Sequence, residues 1–454
     1  MLGLGIAFVV TIIVAYMILK KMKPQTVLFA GGFVLLACTI LMGYPILDAK
    51  KSTGFSWFDI FKFIELTFSS RAAEIGLLIM SVGGFAKYME HIGASRVLVY
   101  ITAKPLRIIK SPYLLLALSY IVGQLLNIVI PSAAGLCVLL MATMYPILIS
   151  MGISRLSAAA VIATAPCLDL GPASGAAVFA AKTAGMDVAN YFISEQIPIA
   201  VFTMLTIAVT HFFVQRWFDK VDGTIAAPID DTMEDVGGVD ADMPPMIYAL
   251  LPMLPIVLVL VFSNLCITTI KMPVVTAMVM SVAISMLLEL IRTRNLQCVF
   301  GSIQVFFDGM GKLFATVVTL IVAGETFAYG LTKIGAIDRI IEIAQSSGSG
   351  AVGITLLMTL IVAAAAVLMG SGNAPFYSFG ALVPDIAMKL GLTSSMMITP
   401  MQMAASIARS ASPITAAVVA VAGIADVSPV DVVKRTAIPM LAALVVSSAL
   451  SLIL

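Results

Sequence analysis

The sequence predicts an all-α integral membrane protein whose two halves are inverted repeats, each carrying one re-entrant helical hairpin. Three observations lead there: an apolar composition, an ordered set of motifs that recurs in the second half, and helix-breaking clusters inside apolar segments.

Of the 454 residues, 61% are hydrophobic and only 11% charged, whereas a soluble domain carries about a quarter charged residues. Apolar stretches of roughly 18–25 residues recur along the whole length, the span that a bilayer core demands of a helix. The lipid bilayer is therefore the solvent. A net charge of +2, with no basic run interleaved with aromatics, excludes nucleic acid as a partner. Cys38, Cys137, Cys167, Cys266 and Cys298 share no CxxC spacing and make no metal-ligand cluster with His91 and His211. They read as buried packing residues, and neither a metal nor a cofactor is expected.

The spans fall at about 2–19, 25–47, 71–90, 156–184, 194–215, 246–266, 271–292, 305–330, 396–424 and 430–454. Lys20, Lys21 and Lys23 follow the first apolar run instead of preceding it, so that run is a retained helix with its amino end outside. Segments 112–150 and 350–390 are too long for one helix and are broken in the middle by Pro, Gly and small polar residues, which marks them as re-entrant hairpins. Threading the spans with the amino end outside puts 15 basic residues on one face and nine on the other, so the first face is cytoplasmic.

Phe85-Ala86 and Ile92-Gly93-Ala94 recur as Phe327-Ala328 and Ile334-Gly335-Ala336, an offset of 242. Pro146, Ser174 and Gly185 match Pro384, Ser412 and Gly423 at an offset of 238, and Pro198 matches Pro439 at 241. Five crossings separate the starts of the two units, which inverts one against the other. The resulting division is 1–70, N-terminal scaffold helices; 71–215, repeat 1; 216–245, an acidic cytoplasmic linker; 246–304, connecting scaffold helices; and 305–454, repeat 2. Each repeat holds a span, an amphipathic arm (94–109 or 336–348), a hairpin, a broken helix (156–184 or 396–424) and a last span. Inverted repeats with corresponding broken segments point to alternating access, with the solute held where the breaks meet.

Four breaks stand out, at residues 131–135, 171–175, 370–375 and 410–413. Small residues admit close backbone approach, neutral hydroxyl and amide groups can bind carboxylates, and helices starting after each break present positive dipole ends. The candidate binding residues are Ser132, Gly135, Ser174, Gly175, Ser371, Gly372, Asn373, Ser412 and Arg409. A guanidinium at 409 can pair with a substrate carboxylate or close an internal salt bridge. Asp169, before the matching break, can take up a coupling proton or be the partner of Arg409. Glu74, Glu325, Asp308 and Lys312 read as ion-paired structural residues. No hydrolase elbow, zinc-protease, Walker or dinucleotide motif occurs in a suitable setting, so enzymatic chemistry is not expected.

At Ser-Pro-Tyr-Leu-Leu (111–115), Gly-Leu-Cys-Val-Leu-Leu-Met-Ala-Thr (135–143), Gly-Ser-Gly-Asn-Ala-Pro-Phe-Tyr (370–377) and Val-Val-Ala-Val-Ala-Gly (418–423) the chain resembles the anaerobic four-carbon dicarboxylate carriers of the DcuC type. The resemblance implies a secondary transporter of succinate, fumarate and malate in the bacterial inner membrane. It also implies an elevator-type fold of the wider ion transporter superfamily, working as a homodimer. Sodium-coupled members of that superfamily often carry Ser-Asn-Thr at both tips, where this chain has Ser132-Ala133-Ala134 and Ser371-Gly372-Asn373. That departure leaves Na+, H+ and exchange open as the driving force. A carrier of another small solute, such as an amino acid or a cation exchanged for protons, fits the same architecture. An intramembrane enzyme using Asp169 or Asp308 would need a second carboxylate in contact, and the spacing supplies none.

Overall fold

A computed structural model describes residues 2–20, 22–223, 243–263, 267, 269–270, 272–337, 339, 342 and 350–453. Every regular element among the described residues is a helix, and eight helices are long and apolar enough to cross a membrane.

The first half runs α1 (Leu2–Leu19), α2 (Pro24–Leu41), α3 (Ser56–His91), α4 (Ala94–Ala103), α5 (Pro112–Val129), α6 (Ala133–Thr143), α7 (Tyr145–Ser150), α8 (Arg155–Thr164), α9 (Gly175–Thr183) and α10 (Val188–Val221). The second runs α11 (Met246–Val261), α12 (Val274–Thr293), α13 (Leu296–Lys333), α14 (Gly350–Met369), α15 (Asn373–Gly380), α16 (Val383–Leu390), α17 (Ser394–Arg409), α18 (Ala416–Ala425) and α19 (Pro429–Ile453). The counterpart of α4 would fall at 336–348, most of which lies outside the described residues, as do most of the linker and Cys266.

The resemblance between halves extends further upstream than the motifs suggested. Helix α3 contains a π turn at Ala72–Gly76 and α13 contains one at Phe314–Val318, again 242 residues apart. The two π turns pack against each other, and a Cβ on Gly76 would lie 3.2 Å from the Val318 side chain. The segment before the first π turn is missing from the apolar spans because Asp59, Lys62 and Glu65 interrupt its hydrophobicity. It is helical all the same, since Asp59 sits in the first turn and accepts hydrogen bonds from Ser52 Oγ, Thr53 N and Thr53 Oγ1 at 2.7–2.8 Å.

Two bodies of helices emerge from the packing. Helices α2, α3, α12 and α13 cross one another closely: Gly83 and Gly84 of α3 face Leu313, Phe306 and Gly309 of α13, and Gly32 of α2 faces Thr326 and Phe327. The second body is the hairpin, broken-helix and last-helix set of both halves, where α14 packs on α17, α10 on α19 and α5, and α18 on α6. The bodies meet where Gly324 of α13 lies against Ser378 of α15, and where Gly175 of α9 lies against Ile79 of α3.

The last helices of the two halves are locked by a buried ionic cluster. Arg435 of α19, 2% exposed, pairs with Asp219 of α10 and, at 2.6 Å, with Asp222. Ser154 and Ser157, at the start of α8, donate to Asp219 at 2.6 and 2.9 Å, and Tyr113 donates at 3.2 Å. Gln215 then carries the network inward to the Arg435 carbonyl and to His211, whose Nε2 lies 2.8 Å from Thr164 Oγ1.

Cys137 and Cys167 are buried as expected, Cys38 is half-buried, and Cys298 is exposed because it lies in the first turn of α13.

Candidate functional site

Between α8 and α9 the chain leaves the helical state at residues 165–174, and its backbone groups need partners that water cannot supply in lipid. Gln124 and Asn127 of α5 supply them first. Both donate to the Leu168 carbonyl, at 2.8 and 2.9 Å, and Leu168 N donates to Gln124 Oε1 at 3.0 Å. Asp169 is held from the other half of the chain. Gln402 of α17 donates to its carbonyl at 2.6 Å, and Ser406 donates to Oδ2 at 3.1 Å.

Arg409, the last residue of α17, pairs with Asp169 Oδ1 at 2.8 Å and donates to the Pro166 carbonyl at 2.9 Å. The two charged side chains are 12% and 13% exposed. The structure thus shows the internal pair rather than a free guanidinium. A cation at a helix carboxyl end is further favoured by the helix dipole. Gln196, brought into line by a third π turn at Phe192–Gln196, closes the cage: it donates to Gln402 Oε1 at 2.9 Å and accepts from Gly171 N at 2.9 Å. Gly171 takes φ +78°, a left-handed conformation in which a side chain would be strained.

A cavity of about 670 Å³ opens beside this pair. Its walls bring together Ser132 and Gly135 from the first hairpin tip, Ser174 and Gly175 from the first break, Asn373 from the second tip, and Asp169 and Arg409. Three helices, α6, α9 and α15, therefore show their first turns to one space. Ser132 and Ser174 are N-caps, accepting from Gly135 N and Ala177 N at 3.3 Å. Asn373 makes no side-chain hydrogen bond to another described residue, which leaves its amide available to a ligand.

Ser371, Gly372 and Ser412 do not line this cavity. Gly372 is buried against the Ala405 carbonyl, which a Cβ would strike, and Ser412 is fully buried with its hydroxyl unpartnered among the described residues. We expect Gly372→Ala to lower stability by about 1–3 kcal/mol, as overpacking does, with the second tip displaced. Thermal melting of the purified variant alongside its transport rate checks this, and an unchanged melting point would show that α17 yields.

Of the four acidic and basic residues read as structural pairs, Arg71 joins Glu325 at 2.7 Å and Glu74 at 3.3 Å, and Asp308 accepts from Gln304 at 2.9 Å. Asp308, held by a neutral amide and in no ion pair among the described residues, departs from that reading, and so does Lys312. The lysine is exposed, lines the cavity, and has no ion-pair partner among the described residues. The cage amides Gln124, Asn127, Gln196 and Gln402 escaped the sequence reading altogether, although uncharged polar residues in apolar spans carried the signal.

A family model described as C4-dicarboxylate anaerobic carrier matches residues 2–454. The anaerobic C4-dicarboxylate transporter DcuC of Escherichia coli strain K12 is 39% identical over 442 residues, 97% of this chain and 94% of that protein. A probable anaerobic C4-dicarboxylate transporter DcuC of Vibrio cholerae is 38% identical over 447 residues, 98% and 96% of the two chains. Among solved structures, Neisseria gonorrhoeae MtrF, described with a class of antimetabolite efflux pumps, superposes with a TM-score of 0.62 at 13% identity over 95% of both chains. The Alcanivorax borkumensis YdaH transporter gives 0.59 at 17% identity, over 95% of this chain and 98% of its own.

Proposed function

The chain belongs to the C4-dicarboxylate anaerobic carrier family, and on that premise we propose that it is a secondary transporter of succinate, fumarate and malate. The observation that carries the proposal is the convergence of Ser132, Ser174 and Asn373 on one cavity beside a charge-neutral Arg409–Asp169 pair. Such a site offers a carboxylate hydroxyl and amide donors together with the first turns of three helices, whose dipoles favour an anion. Because Arg409 is already paired, it orients the first break and contributes donors at its rim. Asp169 is the group placed to couple a cation or proton to the cycle, since any change in its charge is felt directly by Arg409.

The family and the repeat pattern support alternating access by an elevator step. The body of α2, α3, α12 and α13 would act as scaffold, and the hairpin body would slide past it along the seam at Gly324 and Gly175. In this reading the protein is a homodimer in the bacterial inner membrane with its amino end outside. Lys87 and Arg96 then stand on the cytoplasmic face, so the cavity faces inward.

Proteoliposomes test the substrate class directly. Labelled succinate should enter saturably, and faster when fumarate is trapped inside; absence of any saturable flux of either acid would remove the proposal. Repeating the uptake with imposed sodium or proton gradients decides between ion coupling and exchange.

A further inference from the structure

Six charged residues line the cavity, and they sort by depth. Asp169 and Arg409 are nearly buried and neutralise each other, whereas Lys87, Glu90, Arg96 and Lys312 are exposed at the mouth. Lys87 is paired with Glu90 at 2.9 Å. What remains is Arg96, on α4, and Lys312, on α13, neither with an ion-pair partner among the described residues. Four cations against two anions leave the cavity with a net charge of +2, the complement of a dianion.

We infer that Arg96 and Lys312 form an entry subsite that binds both carboxylates of the substrate before it reaches the neutral site between the hairpin tips. This rests on the dicarboxylate reading above and adds to it a place and a sequence of events. Two cations on different helices can engage the two ends of a short dianion, while a monocarboxylate engages one. Neither charge has an ion-pair partner among the described residues, so a cleft of net positive charge between low-dielectric walls concentrates the anion. Further in, where Arg409 is cancelled by Asp169, the dianion meets only neutral donors and helix dipoles and is not trapped. A carrier must release what it binds, and a strong subsite at the mouth followed by a softer one inside meets that need.

The test is succinate uptake by proteoliposomes as a function of concentration and ionic strength for the wild type, Arg96→Gln, Lys312→Gln and Lys312→Arg, with Lys434→Gln as a control. Lys434 is exposed, paired with Asp431, and off the cavity wall. Each glutamine variant should raise KM about tenfold, at the lower end of what steering supplies, with kcat little changed and a flatter dependence on salt. Lys312→Arg should restore KM, and Lys434→Gln should behave as wild type. An unchanged KM and salt slope in both Arg96→Gln and Lys312→Gln, beside active wild type, would overturn the entry subsite alone. An inactive wild type would overturn the dicarboxylate reading instead.

Discussion

Replacing Arg435 with Met should be the most destabilising single change in the chain, costing about 3–5 kcal/mol, the range for removing one member of a buried ion pair. Arg435 and Asp219 are both essentially inaccessible, and Asp219 would be left with three hydroxyl donors but no countercharge. The loss should appear as a markedly lower melting temperature and poor recovery from detergent. Combining Arg435→Met with Asp219→Asn should regain part of the loss, because the only bare charge then left in the cluster is Asp222, which is 42% exposed and open to solvent. If the double variant is no better than the single, the cluster acts through packing, including the Arg435 stacking on the Phe218 ring at 5.2 Å, and not through charge.

For transport the largest effect is expected from Asn373→Ala. The Asn373 amide lines the cavity at the first position of α15 and has no side-chain partner among the described residues to lose, so folding should survive. A hydrogen bond to a charged group contributes roughly 1.5–3 kcal/mol, which corresponds to about a 10–100-fold fall in kcat/KM for succinate. Ser371→Ala, two residues earlier but off the cavity wall, should fall by far less. Equal losses in the two variants would mean that the second tip matters for its backbone shape and not for the amide. Detergent melting curves of both variants separate misfolding from a lost contact.

The helical plan was legible in the sequence wherever physics writes a local signal. Apolar length marks spans such as α12 and α19, and Gly370 to Pro375 marks the second tip because that run cannot continue a helix. Positions 132, 174 and 373 reached the cavity wall for the same reason: small or capping residues announce where a helix starts. Ser412 misled because its match to Ser174 implied an equivalent exposure. The two breaks face the cavity unequally in this conformation, and a repeat in sequence carries no information about which half is open. The amide cage around Asp169 was harder to read, since Gln402 and Gln196 act on residues more than twenty positions away and only folding brings them near. Lys312 lies one turn after Asp308 on α13. One turn of spacing permits a pair but does not require it, and Gln304 takes the carboxylate instead.

The dependence of the first break on α17 has a bearing on how the protein is made. Residues 165–174 emerge from the ribosome long before Gln402, Ser406 and Arg409 exist, so during synthesis the Asp169 carboxylate and its neighbouring carbonyl lack the partners that hold them later. Unpaired polar groups cost several kcal/mol each in hydrocarbon, so burying this stretch in lipid is unfavourable until the second half supplies its partners. A chain that stops before residue 394 therefore lacks every α17 partner of Asp169 and leaves its charge unanswered.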